Sequence, residues 1–183
     1  MVIRHGEKEE APAARHCINE LGDPDDDGLS VRGWQRAGAL VALFGSEPRA
    51  REFGLTVPEK LYACAVAPQH LSKRSVLTLD PLAQRLGLAL NTGFTKGDEA
   101  VLADFLSTTK ESALICWEHK MIPALCRAFD TRTSRIPIDW PDERYDVVWL
   151  FERRAYGREV PWTFSQVPQM LLAGDRSDGI GVG

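Results

Sequence analysis

The stretch "VIRHGEK" at residues 2–8 sets Arg4 and His5 directly behind a short apolar run, with Gly6 immediately after them. Arginine presents a rigid fork of donors that fits phosphoryl oxygens and keeps its charge at physiological pH. A neutral imidazole can attack phosphorus, so the pair is suited to phosphoryl chemistry. The same two residue types recur as Arg74 in "SKRSVLTLDPLAQRLGL" and His119 in "LICWEHKMIP". All three clusters stand where a strand-like run gives way to a turn or a helix, the end of a layered α/β sheet at which ligands bind. Two guanidinium groups and two imidazoles meeting there form a pocket for phosphate. The cations offset charge that builds on the phosphoryl oxygens during transfer. That chemistry calls for neither a metal nor an organic cofactor.

The elements that must position these residues are legible as patterns. Apolar runs of strand length occur at residues 1–3, 61–67, 113–117 and 146–151, and the first three are each followed by a polar turn and a helix-like segment. The alternation predicts an α/β fold with a mostly parallel sheet, expected here as a three-layer α/β/α sandwich. Ser30 is placed to cap the helix "SVRGWQRAGALVALF", whose Trp34, Ala37, Leu40, Val41 and Phe44 share one face. Ser72 is the expected cap of the next helix, with a kink or break at Pro81 and a stop at Gly87. "GDEAVLADFLSTT" and "IPALCRAF" supply two more.

Residues 8–29 and 130–145 form long polar connections, of the kind that often serve as lids. Trp140, in the second, is a candidate to cover a bound organic group. Residues 1–172 are expected to form one domain, and 173–183, "AGDRSDGIGVG", a flexible tail.

Composition narrows the function classes. A chain of 183 residues is enough for one core, and its net charge of −4 disfavours a general nucleic-acid or membrane-surface binder. No window approaches the roughly 18 apolar residues of a spanning helix, and the first residues lack a signal-peptide core, so a cytoplasmic setting is expected. Cys17, Cys64, Cys116 and Cys126 have no CxxC spacing and are expected as free buried thiols. "DPDDDGLSVRGW" starts like a calcium loop with Asp23, Asp25, Asp27 and Gly28, but Trp34 stands where a bidentate glutamate is needed. A solvated acidic loop ahead of a capped helix accounts for it better.

Taken in order, "RHGEK", "LSVRGWQRAGAL", "SKRSVLTLDPLAQRLGL" and "ICWEHKMIP" resemble the histidine phosphatase superfamily over residues 1–126. The likeness is to its first branch, which holds the phosphoglycerate mutases and small phosphohistidine phosphatases. The resemblance implies that His5 is a nucleophile that becomes transiently phosphorylated, that Arg4 and Arg74 hold the phosphoryl group, and that His119 is the second pocket histidine. Mutase-like members place a glutamate proton donor between the second arginine and the second histidine. The matching loop "NTGFTKG" has none, and Glu99 is the nearest acid. Lys120 also replaces the small residue that usually follows the second histidine. The expected activity is hydrolysis of a small phosphorylated molecule or of phosphohistidine. The alternatives are a phosphomutase and a non-hydrolytic, anion-binding or repurposed member.

Overall fold

The computed structural model of the chain describes residues 1–9, 17–129, 131, 135–153 and 160–181. Six strands, β1 (Val2–Arg4), β2 (Lys60–Ala63), β3 (Leu90–Asn91), β4 (Ala113–Trp117), β5 (Val147–Glu152) and β6 (Thr163–Pro168), form one sheet in the order β3-β2-β4-β1-β5-β6. The first four in that order run parallel, while β5 is antiparallel to β1 and β6 to β5. Because side chains alternate across a strand, each apolar run feeds two cores. Val2, Ile115, Trp117 and Trp149 face one side, where Leu102, Leu106 and Leu125 close over them. Ile3, Leu114, Cys116 and Val148 face the other, against Leu40, Phe44 and Leu79.

The helices divide accordingly. α1 (Val31–Phe44), α2 (Glu47–Glu52) and α3 (Arg74–Leu86) cover the second face; α4 (Glu99–Thr108) and α5 (Ile122–Arg127) cover the first. This is the expected α/β/α layering on a mixed, mostly parallel sheet. Strands β3 and β6 carry no strong sequence signal. The first is two residues long, and the second is an edge strand that leaves part of its length exposed.

Ser30 caps α1 as expected, its Oγ accepting from the Gly33 amide at 3.0 Å. The start of α3 departs from expectation. Lys73, not Ser72, occupies the cap position, its own amide donating to Asp27 O at 3.1 Å, and Ser72 Oγ accepts from the Arg74 amide at 3.5 Å and from the Arg74 side chain at 3.3 Å. The helix also runs on through Pro81 and ends at Gly87, whose φ of 65° is the left-handed stop that glycine favours.

The segment expected to be a free tail is packed. Asp175 accepts from Arg36 at 2.8 Å and from the amides of Leu171 and Leu172 at 2.8 and 3.0 Å. The Asp178 and Gly179 carbonyls accept from Arg144, and Ile180 is buried with its amide on Gln166. The cause lies in α1. Arg36 sits on its buried face, 2 % exposed at the side chain, and among the described residues Glu7 and Asp175 supply the carboxylates it needs, with the Gln169 side-chain oxygen accepting at 3.0 Å. Of the two long connections, residues 10–16, 130 and 132–134 lie outside the described residues, as do 182–183 of the tail. Ile18 bridges Pro24 and Leu29 in the first, and the second buries Ile136, Trp140 and Tyr145. Among the described residues, no helix is long and apolar enough to cross a membrane.

Replacing Asp175 by alanine leaves Arg36 buried with Glu7 as its remaining carboxylate partner among the described residues. The expected loss of stability is about 3 kcal/mol, the lower part of the range for breaking a buried ion pair, read as a lowered midpoint in urea unfolding.

Candidate functional site

Strand register decides which side chains meet. β1 lies parallel to β4 with Arg4 opposite Trp117, and the His5 amide donates to Trp117 O at 3.3 Å. His5 and His119 therefore leave the sheet side by side. Their ring centroids are 6.5 Å apart and the planes nearly perpendicular, at 84°.

The turn after β1 is clamped between two helices. Glu7 O accepts from both the amide and the hydroxyl of Ser30, at 2.9 and 3.0 Å, and the Gly6 amide donates to Thr78 Oγ1 of α3 at 2.8 Å. Backbone meets backbone here. A Cβ at Gly6 would lie 2.9 Å from Gly33 O, and one at Gly33 would lie 2.3 Å from Glu7 O. Both glycines are required by this approach rather than by a turn conformation. Glu7 completes the clamp by accepting Arg36 through Nε and Nη2, at 3.0 and 2.7 Å, and Arg32 at 3.2 Å.

His5 is buried and its Nδ1 donates to Gly6 O at 2.8 Å, since a carbonyl can only accept. Burial lowers its pKa from 6.5 to about 3, with the charges of Arg4 and Arg74 acting in the same direction and the Gly6 carbonyl opposing. The ring is neutral at physiological pH, and with the proton held on Nδ1 the lone pair is on Nε2. His119, also buried, has Nε2 2.5 Å from Asp142 Oδ1. Burial and then Arg4 lower its pKa, while Asp142 and Glu118 oppose them. Its Nδ1 has no hydrogen-bond partner among the described residues.

The two arginines are more tethered than expected. Arg4 Nη1 donates to the carbonyls of Pro141, Asp142 and Arg144 at 3.2, 2.5 and 3.1 Å, Nη2 to Tyr145 Oη at 2.8 Å, and the guanidinium lies 3.7 Å above the Tyr145 ring. Arg74 Nε donates to Gly28 O at 2.9 Å and Nη2 to Asp26 O. Its charge still reaches His5. His5, His119 and Arg4 are thus brought together, with Arg74 on the flank.

Two expected site residues stand in structural roles. Glu99, buried in the first turn of α4, accepts from Trp117 Nε1 at 2.9 Å and from the Gly97 amide. Trp140 is buried rather than poised over the site. Its ring packs on Trp149 at 4.9 Å and its Nε1 donates to Arg144 O at 2.8 Å, because the sheet face offers more apolar area than an exposed loop. Glu118 pairs with Lys96 at 3.0 Å.

Tyr145 and Asp142 lie beside the histidines and Arg4 with no sequence signal to announce them. Nothing local marks either, since both arrive from a loop about 140 residues beyond Arg4. Arg36 did leave a signal: a charged residue on the apolar stripe of an amphipathic helix demands a buried anion. A cleft of about 410 Å³ shares Tyr145 with the site and is also lined by Lys8, Glu9 and Glu143. Another, of about 390 Å³, lies beside Met1 and Ala113 at the amino ends of β1 and β4, the opposite end of the strands from both histidines.

No protein-family model matches this chain, and no curated protein matches it either.

The burial of His5 generates a pH prediction. Between pH 6.5 and about 3 the unfolded chain binds a proton at this residue that the folded chain refuses, so this group's contribution to stability is present above 6.5 and lost as the pH falls toward 3. The imidazole NMR signals of His5 are expected to stay at their neutral positions from pH 8 to 5. A midpoint near 6.5 in the folded protein would place the ring in water.

Proposed function

We propose that the protein is a phosphatase acting on a small phosphorylated molecule, or on phosphohistidine, through a covalent phosphohistidine at His5. The observation that carries this reading is the state of His5. It is buried and neutral, with Nδ1–H fixed on Gly6 O so that Nε2 bears the lone pair, beside His119 and within the field of two arginines. Nε2 attacks phosphorus, the bond from phosphorus to the leaving atom breaks, and the departing group takes up a proton from water. Water then attacks the phosphohistidine, releasing inorganic phosphate and returning His5 to its neutral form. The charges of Arg4 and Arg74 offset charge on the phosphoryl oxygens and the neutral His119 offers its ring N–H, so the nucleophile and the cations are all side chains of this chain. A cytoplasmic setting accords with the four free, buried cysteines.

The leaving group follows from the acid supply. Glu99 is committed to Trp117 and Gly97, and general acid catalysis is typically worth about 10²–10⁴-fold. Phosphoramidates and activated aryl phosphates need that help least, so they are expected to turn over faster than simple alkyl phosphates. A second reading, an anion-binding member without turnover, is favoured by the hold of residues 141–144 on Arg4 and His119.

Rapid quench after mixing with an aryl phosphate separates the two. Acid-labile phosphate on His5 in the wild type and none in His5→Ala, with turnover abolished and the unfolding midpoint retained, is the expected result. Phosphate binding without phosphoenzyme would favour the second reading. Wild-type turnover in His5→Ala would remove His5 as the nucleophile.

A further inference from the structure

Asp142 stands at the mouth of the histidine pair with its side chain 74 % exposed, and still sets Oδ1 2.5 Å from the buried Nε2 of His119. The same residue's carbonyl accepts from Arg4 Nη1 at 2.5 Å, flanked on that nitrogen by the carbonyls of Pro141 and Arg144. One short segment thus holds oxygen atoms against two of the groups that a phosphoryl group would use. The imidazole nitrogen Nε2 carries at most one proton, and an incoming oxyanion cannot take it while Asp142 keeps it.

We propose that Asp142 determines specificity by acting as an internal competitor on His119, so that a doubly charged phosphoryl group displaces it and a singly charged oxyanion does not. This rests on the reading of the His5 pocket as a phosphoryl site. Exchanging one carboxylate for another gains nothing at His119, and the newcomer must also shed its water to enter. A dianion is drawn further by the charges of Arg4 and Arg74, which a monoanion feels half as strongly. Leaving is cheap for Asp142, because its exposed side chain returns to water and no charge is buried by the swing. The carboxylate is ionised at neutral pH, its pKa lowered by the hydrogen bond to His119 and by the charges of His119, Lys120 and Arg4.

Titration calorimetry at pH 7.5 with inorganic phosphate and with acetate tests the idea on the wild type, Asp142→Ala, and Asp142→Ala combined with His119→Ala. Removing the competing carboxylate should tighten phosphate binding about fivefold in Asp142→Ala. Acetate should bind that variant and compete with phosphate there, while failing to compete in the wild type. The double variant should lose the gain. Phosphate affinity equal to or weaker than wild type in Asp142→Ala would overturn the inference while leaving the pocket itself intact. Absence of phosphate binding in every protein tested would overturn both the inference and the phosphoryl reading beneath it.

Discussion

The parallel pairing of β1 with β4 is the constraint on which the candidate site depends. β1 is three residues long and lies at the centre of the sheet, between β4 and β5. Its register, with Arg4 opposite Trp117, decides that His5 and His119 emerge at the same level on neighbouring strands. A slip of one residue would turn His5 toward the opposite face and separate the rings. So short a strand cannot hold that register through its own ladder alone. The turn that follows is fixed as well, by Ser30 and Thr78 from two helices and by a glycine-to-glycine approach that admits no side chain.

A second constraint acts through charge. Arg36 is buried on the helix that clamps the turn, and Glu7 and Asp175 are the carboxylates that meet it. Glu7 belongs to the "RHGE" turn, and Asp175 lies near the end of the chain. The ion network therefore ties the first strand, the first helix and the last segment into one unit. Arg36 keeps Glu7 and the Gln169 side-chain oxygen without Asp175, so the docking of residues 173–181 adds a second buried carboxylate to a guanidinium that is costly to leave underpaired.

Around the histidines the electrostatics are prepared in advance. Arg4 and Arg74 are held by backbone carbonyls that orient them, and the carbonyls of residues 26–28 and 141–144 serve as their scaffold. Their field, added to burial, keeps His5 neutral.

By itself the sequence determined the layered α/β class, the helix capped by Ser30, the stop at Gly87 and the candidacy of Arg4, His5, Arg74 and His119. Each of these rests on local information: apolar periodicity, capping chemistry, the freedom of glycine, and residue types at strand ends. Only the tertiary structure decided the rest. Glu99 and Trp140 read locally as an available acid and a lid aromatic, yet each is taken up by a side chain of the sheet, Trp117 of β4 for the one and Trp149 of β5 for the other. The tail reads as flexible because its glycines and charges bury nothing locally, whereas Arg36 gives Asp175 a reason to be buried. Asp142 and Tyr145 reach Arg4 across about 140 residues, and local patterns carry no information on which loop returns to which strand end. That is settled by sheet order and by the need of every buried charge for a partner, both properties of the assembled fold.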